Sequence, residues 1–302
     1  MTNLSDLFPA GAGKQVSFTA SGAISAAGKP VILNSAGTVT QVGLSAASSV
    51  GTPVVFEAAA TEYTAATFDS DSNKVVIAYR DEGNSNYGTA VVGTVSGDAI
   101  SYGTAVVFES SSTMFVAATF DSDSNKVVIA YLDFGNSEYG TAVVGTVSGT
   151  AISFGSPVVF ESASISGYGT GITFDSDSNK VVIAYQDGGN SGHGTAIVGT
   201  VSGTAISFGT AVVFEAAGTT YIGATFDSSN NKVVIGYKDE DNSGYGTAIV
   251  GTVSGTSISF GSATVFKASV IEATSITFDS NANKVVVAFR DEGNSSYGTA
   301  VV

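Results

Sequence analysis

The chain has 302 residues, of which 43% are hydrophobic and 12% are charged. This apolar content is enough for a hydrophobic core and argues against intrinsic disorder. The formal net charge of −15 argues against partners that carry negative charge, so we expect no binding to nucleic acid. The sequence has no run of 18 apolar residues and no cysteine, which excludes disulfides and predicts no membrane insertion. We also expect no secretory signal, because the first residues lack an apolar stretch.

The first 45 residues lie outside the repeat that fills the rest of the chain. Lys14 to Ala20 alternates like a β-strand, and residues 29–39 predict a hairpin around Asn34 to Gly37. A segment of this size is too small for its own core. We therefore predict a small N-terminal β attachment segment over residues 1–45 and a separate domain over residues 46–302.

Five near-copies of a 52-residue unit follow. The phrase T-F-D-S marks each copy, and its Phe occurs at Phe68, Phe120, Phe174, Phe226 and Phe278. Periods of this size are typical of solenoids and propellers. Each residue that looks functional therefore has to be interpreted in five places.

The repeat unit is predicted to form four short antiparallel strands. In the second copy these are Ala117 to Phe120, Lys126 to Tyr131, Thr141 to Val147, and a fourth strand from Ala151 that bends at Gly155 and continues to Phe160. The runs are β-branched and aromatic, and Asp, Ser, Asn and Gly separate them. Four strands in about 52 residues match one blade of a β-propeller.

The two ends of the repeat region predict a closed ring. The last copy ends at Val302 after its third strand, and Ser49 to Phe56 repeats the fourth-strand pattern of Ser153 to Phe160. We therefore predict an all-β, five-bladed β-propeller in which an N-terminal strand closes the last blade and removes the free edges. The alternative is that Val302 is a truncation point and that further blades are missing.

The first polar turn of each copy resembles the start of a calcium loop, with oxygen side chains at Asp69, Asp71 and Asn73. Lys74 stands where such a loop needs Gly, and no Glu follows at its twelfth position. Asx-turn chemistry explains the same composition without an ion. We predict turns here, and no metal site or cofactor.

The second polar loop of each copy combines a carboxylate, an amide and a ring, each three residues apart. These groups suit a sugar, because the polar side chains bind hydroxyls and the ring stacks on the sugar face. A structural role, with the Asp and Asn capping the loop, explains the pattern equally well. The candidate ligand-binding residues are Asp81, Asn84, Tyr87, Asp133, Asn136, Tyr139, Asp187, Asn190, His193, Asp239, Asn242, Tyr245, Asp291, Asn294 and Tyr297.

The connection from the fourth strand to the next copy varies most between the copies. It contains a two-residue insertion in the third copy and an aromatic residue in four of the five copies, and we call it the variable rim. A fixed scaffold with one variable rim is typical of binding loops, although drift in unimportant loops would look the same. Its aromatic residues are Tyr63, Phe115, Tyr168 and Tyr221.

The sequence gives little support for a catalytic function. His193 is the only histidine, which excludes a multi-histidine metal centre and argues against a Ser-His-Asp triad. A sialidase needs three clustered arginines, and the chain has only Arg80 and Arg290. The carboxylate pair Asp239 and Asp241 leaves a glycosidase as a third hypothesis. We expect no enzymatic activity.

The phrases T-F-D-S-x-S-N-K-V-V-I-A-Y and G-N-S-x-Y-G-T-A-V-V-G-T-V-S-G resemble those of repeat-bearing virion proteins of tailed phages, of the marine and cyanobacterial type. The opening from Asn3 to Gly11 resembles their attachment regions. The resemblance implies a non-enzymatic fibre, knob or capsid decoration located in the virion. It also implies that residues 1–45 contact other virion proteins, that the chain forms a homo-oligomer, and that the propeller meets a host-surface carbohydrate. The alternative is a secreted propeller lectin with one sugar site per blade.

Overall fold

The computed structural model describes residues 31–33, 38–41 and 50–302. The chain divides into two compact units, Met1–Gly51 and Thr52–Val302. In the first unit, β1 (Val31–Leu33) pairs antiparallel with β2 (Val39–Gln41), so these strands flank the predicted hairpin turn. The strand predicted over residues 14–20 and most of the attachment segment lie outside the described residues.

The second unit consists of β-strands joined by tight turns, and the prediction of an all-β fold is confirmed. The first copy comprises β3 (Thr61–Asp69), β4 (Lys74–Asp81), β5 (Tyr87–Ser96) and β6 (Ala99–Tyr102). The second comprises β7 (Val106–Asp121), β8 (Lys126–Asp133), β9 (Tyr139–Ser148) and β10 (Ala151–Phe154). The third comprises β11 (Val158–Asp175), β12 (Lys180–Asp187), β13 (His193–Ser202) and β14 (Ala205–Phe208). The fourth and fifth comprise β15 (Val212–Asp227), β16 (Lys232–Asp239), β17 (Tyr245–Ser254), β18 (Ser257–Phe260), β19 (Thr264–Asp279), β20 (Lys284–Asp291) and β21 (Tyr297–Val301).

Each long strand belongs to two copies. The first part of β7 pairs with β5, and its second part pairs with β8, both antiparallel. The second part contains a register shift between Met114 and Ala117, within the ladder to β8. The sequence analysis divided this segment into a fourth strand, a connection and a first strand. The structure makes it continuous, because the ladder to β8 begins at Thr113, immediately after the ladder to β5 ends at Ser112.

The two ends of the repeats are defined by these pairings. Tyr87 at the start of β5 lies opposite Ser112, and Asp133 at the end of β8 lies opposite Thr113. The variable rim and the second polar loops therefore meet at one end, which we call the bulge end. The T-F-D-S turns lie at the other end of the same strands, which we call the turn end.

The second strand is buried on both faces in the first four copies, whereas β20 of the fifth copy is exposed on one face. Val128 and Ala130 of β8 pack toward the third copy, whereas Ile129 and Tyr131 pack toward the first. All four side chains are fully buried. This explains why the run Lys-Val-Val-Ile-Ala-Tyr is continuously apolar instead of alternating, as is typical of a strand covered on both sides.

A buried tyrosine in the second strand of four copies donates a hydrogen bond to a glutamate at the start of the long strand. Tyr131 Oη lies 3.2 Å from Glu109 Oε2, and Tyr185 Oη lies 3.0 Å from Glu161 Oε2. Burial, followed by the neighbouring glutamate, raises the pKa of these tyrosines, and burial also raises the pKa of Glu109 and Glu161. The fifth copy carries Phe289 in place of the tyrosine and Lys267 in place of the glutamate. The hydroxyl and its acceptor are therefore replaced together.

The pKa of the four buried tyrosines predicts the behaviour of the protein in alkali. A raised pKa in the folded state adds stability below the ordinary value of about 10, and that stability is lost as the pH rises through the folded-state pKa. We expect at least Tyr79, Tyr131, Tyr185 and Tyr237 to remain protonated above pH ~10 until the protein unfolds. Ultraviolet absorbance and circular dichroism followed together measure this. Ionisation of all 12 tyrosines with the fold intact would contradict it.

The closing strand predicted at Ser49 to Phe56 is not formed over residues 50–56, the part of it that the structure describes. Residues 50–60 form no strand, and β21 pairs with β20. Val54 and Val55 are exposed, and the segment is held by side-chain contacts and by one backbone hydrogen bond, from Glu82 N to Ala60 O at 3.1 Å. Phe56 packs against Tyr79 with ring centroids 5.2 Å apart, and Glu57 accepts a hydrogen bond from Tyr79 at 3.2 Å.

The last copies are less covered than the first three. The valine near the middle of the third strand is fully buried at Val92, Val144 and Val198, but it is 44% exposed at Val250. Val198 packs in a cluster that includes Ile258 of β18. The fifth copy has no counterpart of β18, so Val250 lacks this cover.

Candidate functional site

The polar turns at the turn end are Asx-turns. Asp69 Oδ1 accepts hydrogen bonds from the backbone N–H groups of Asp71 at 3.0 Å and Ser72 at 2.9 Å. Asn73 closes the turn with a left-handed φ of 55°, which Asn tolerates better than most residues. The carboxylates that repeat this bonding are Asp121, Asp175, Asp227 and Asp279. These hydrogen bonds confirm the interpretation of the turns as Asx-turns.

The aspartates of the second polar loops cap the loop backbone at the bulge end. Asp81 Oδ1 accepts from Asn84 N at 3.1 Å, and Asp133 Oδ1 accepts from Gly135 N at 2.8 Å. Their counterparts Asp187, Asp239 and Asp291 do the same. Because these side chains bind the backbone, the Asp of each predicted trio has a structural role. Lys267 also contacts Asp291 at 2.6 Å and lowers the pKa of that carboxyl.

The amide and ring of each trio remain accessible. The five asparagines are exposed, and the rings at Tyr87, Tyr139, His193 and Tyr245 are half-buried, whereas Tyr297 is 62% exposed. Each loop at the bulge end thus leaves an exposed Asn and, three residues later, an accessible ring, whereas its Asp binds the loop backbone. The asparagines are Asn84, Asn136, Asn190, Asn242 and Asn294.

The variable rim forms one cavity at the bulge end. All five copies line this space of about 450 Å³, which we call the aromatic cup. The residues that define it are Tyr63, Phe115, Tyr168, Tyr221, Ala273, Thr64, Thr170 and Thr274. Ala273 and the threonines lie in the same connections as the four aromatic residues, but only the aromatic residues were singled out from the sequence. Counting back from the T-F-D-S phrase would have found Ala273, because it occupies the position of Tyr221 in the fifth copy.

The rings of the cup meet in two pairs. Tyr63 and Phe115 have centroids 5.4 Å apart in an edge-to-face arrangement, and Tyr168 and Tyr221 are stacked at 5.5 Å. Tyr168 is 71% exposed. The cup therefore presents aromatic faces to solvent.

Two further cavities continue inside the unit, and each is lined by all five copies. One of about 290 Å³ is bordered by small and branched residues such as Ala66 and Ile276. The other, of about 380 Å³, lies at the turn end beside Phe68, Phe120, Phe174, Phe226 and Phe278. The five inner strands therefore surround a common space.

Ion pairs flank the cup in the first, fourth and fifth copies. Arg80 contacts Glu62 at 3.1 Å, and Lys238 contacts Glu240 at 3.1 Å. Arg290 contacts both Glu272 at 3.0 Å and Glu292 at 2.7 Å. The described residues contain no cluster of three or more His, Asp or Glu that could hold a metal ion. Over the same residues, no helix has the length and apolarity needed to cross a membrane.

No protein-family model and no curated protein matches the chain. Several solved structures resemble it. A protein from Lactobacillus plantarum is 12% identical with a TM-score of 0.53, covering 94% of this chain and 80% of its own. The lectin BP39L from Burkholderia pseudomallei is 14% identical with a TM-score of 0.54, covering 83% and 73%. The SapL1 lectin, solved in complex with alpha methyl fucoside, is 15% identical with a TM-score of 0.50, covering 80% and 75%. At these identities the likeness concerns the all-β fold alone.

Proposed function

We propose that this protein is a carbohydrate-binding protein without catalytic activity. The observation that carries the proposal is the repetition, at one end of the molecule, of an exposed amide three residues before a ring that is half-buried in four copies and exposed in the fifth. Amides bind sugar hydroxyls, and rings stack on the C–H face of a pyranose. The fold likeness to the BP39L and SapL1 lectins supports this proposal more than the virion role.

The Asn and ring of each second loop form the proposed repeated sites. The capping Asp holds each loop in place, so the two remaining groups keep a fixed spacing. This rigidity lowers the entropic cost of binding, because little of the loop has to be ordered when the sugar arrives. The carboxylates of the loops support binding indirectly, and we assign them no catalytic role.

A closed five-bladed propeller is the architecture we propose for residues 46–302. Its support is the common space lined by all five copies. A second support is that Phe56 and Glu57 contact Tyr79 as Phe108 and Glu109 contact Tyr131, with the same ring separation of 5.2 Å. These contacts put the segment against the first copy as Phe108 and Glu109 lie against the second, and pairing of this segment with β21 would complete the proposed ring.

Display on a phage particle remains a second proposal, carried by the sequence resemblance. It locates the protein in the virion, with residues 1–45 contacting other virion proteins and the chain forming a homo-oligomer. Carbohydrate binding is compatible with this role, since host surfaces carry glycans. The secreted lectin and the virion protein differ in location and share the proposed sites.

A glycan array probed with the full chain tests the proposed function. We expect a defined set of glycans to bind, and binding to fall at least about tenfold when the five loop rings are removed together, since losing one stacking contact of about 1.4 kcal/mol already gives a factor of ten. The variant combines Tyr87→Ala, Tyr139→Ala, His193→Ala, Tyr245→Ala and Tyr297→Ala.

A matched control changes one exposed serine per copy at the turn end. It combines Ser70→Ala, Ser122→Ala, Ser176→Ala, Ser228→Ala and Ser280→Ala, and we expect it to bind as the unmodified protein does. A silent array would show the proposed function to be wrong. If the five-ring variant and the serine control bound glycans equally well, the loops would not be the binding site.

A further inference from the structure

The aromatic cup differs from the repeated loops because it is a single cavity shared by all five copies. Its five rim positions have the same unusual backbone, with φ of 48° at Tyr63, 51° at Phe115, 55° at Tyr168, 51° at Tyr221 and 50° at Ala273. A bulky residue in this left-handed region is strained, at a cost on the order of 1–3 kcal/mol. Glycine would relieve this strain, yet no copy has it. Such strain is concentrated at ligand sites.

The fifth rim position leaves a gap in the ring of side chains. The fifth copy presents the methyl group of Ala273 where the others present a ring. The backbone there matches the other copies, so the gap comes from the side chain alone. The faces of Tyr168 and Tyr221 remain open to a ligand, because this stacked pair is only partly buried.

Polar groups surround the same gap. Thr274 follows Ala273, and its Oγ1 is enclosed without a hydrogen-bond partner among the described residues. Thr274 is one of the cup's lining residues, so the wall beside Ala273 is partly polar. Threonines 64 and 170 line the cup beside it.

The charges near the cup favour a neutral ligand. Arg80 lies 5.9 Å from the centroid of the Tyr63 ring, and Lys238 lies 5.9 Å from that of Tyr221. Each of these cations is paired with a glutamate. A cationic ligand would meet like charge beside the rings, and an anionic one would meet the glutamates. Ligand hydroxyls, in contrast, donate to carboxylates and accept from guanidinium and ammonium groups.

We propose that the aromatic cup binds one neutral pyranose per chain, seated at Ala273 against the Tyr221 ring. Its volume of about 450 Å³ lies within the usual range for small-molecule sites. The inference rests on the proposed carbohydrate binding and adds a second kind of site, on the axis shared by the copies. The loops then provide repeated sites, and the cup provides a single one.

Native mass spectrometry tests the cup by counting bound sugars per chain. The probes are the methyl glycosides of fucose, mannose, galactose and glucose. Ala273→Tyr should remove one bound sugar, because it fills the gap with the side chain that Tyr63, Tyr168 and Tyr221 carry on the same backbone. Folding should be unaffected for that reason. Tyr221→Ala should also remove one sugar, by deleting the stacking face.

The five-ring loop variant separates the two proposals. It should retain one bound sugar, and adding Ala273→Tyr to it should remove the last one. If Ala273→Tyr bound as many sugars per chain as the unmodified protein while the loop variant bound none, the cup would not be a binding site. The proposed carbohydrate binding by the loops would still hold. No bound sugar on the unmodified protein for any probe would overturn both.

Discussion

Gly155→Ala is expected to destabilise the protein by about 3 kcal/mol, because a methyl group at this position meets the backbone of the next copy. A Cβ atom on Gly155 would overlap the carbonyl oxygen of Thr204 and lie 3.1 Å from the Thr204 side chain. Neither group is a flexible side-chain end, so the contact between the copies would have to open. The free energy of unfolding measured in denaturant tests this.

Gly261→Ala is the matched control, because the two glycines share their local structure. Each donates its N–H to the third strand of its own copy, Gly155 to Val144 O at 2.9 Å and Gly261 to Val250 O at 3.0 Å. No hairpin of a following copy covers Gly261, and an added Cβ meets nothing closer than Val250 O at 3.8 Å. We expect a change within ~0.5 kcal/mol. Equal losses at both sites would show that the effect is local to the turn and not due to the contact between copies.

Tyr131→Ala is expected to cost about 4 kcal/mol, the largest effect among the single substitutions considered. The side chain is fully buried, and its ring lies 5.2 Å from that of Phe108 between the first and second copies. Truncation leaves a cavity between two copies and removes the hydrogen bond to Glu109. Denaturant unfolding measures the loss.

Tyr131→Phe separates the ring from the hydroxyl. We expect a cost of only about 1 kcal/mol, since the packing stays and one hydrogen bond is lost. The fifth copy already uses Phe289 at this position, where it packs against Phe266 at 5.4 Å. If Tyr131→Phe were as damaging as Tyr131→Ala, the hydroxyl and not the ring would hold the two copies together.

Much of the fold could be predicted from the sequence because each local strand and turn pattern occurs five times in the repeat. Lys126 to Tyr131 was predicted as a strand from its β-branched and aromatic residues, and it lies within β8. The Asx-turn at Asp121 was predicted from side chains that bind their own backbone, a contact that depends on residues two and three positions away. Contacts between residues so close in the chain can be predicted from the sequence.

Features that depend on contacts between distant parts of the chain were not fully predicted from the sequence. The closing strand predicted at Ser49 to Phe56 needs the edge of β21, more than 240 residues away, and in the structure residues 50–60 contact the first copy through Phe56, Glu57 and the Ala60 carbonyl instead. The trio in the second loop was correctly located in one loop, but the sequence left open whether Asp81 faces a ligand or the backbone. Only the hydrogen bond from Asn84 N resolved that.

The sequence by itself determined the all-β class, the period, the turn chemistry and the lack of support for catalysis, because these follow from composition and from contacts between near neighbours. Only the tertiary structure decided that the variable rim is one cavity. Tyr63 and Ala273 are 210 positions apart and meet there because five equivalent strands surround one space. Tyr131 and Tyr168 are both aromatic residues in strands, but Tyr131 is buried between two copies and Tyr168 is exposed to solvent. The reason is that only Tyr131 lies where two sheets pack face to face.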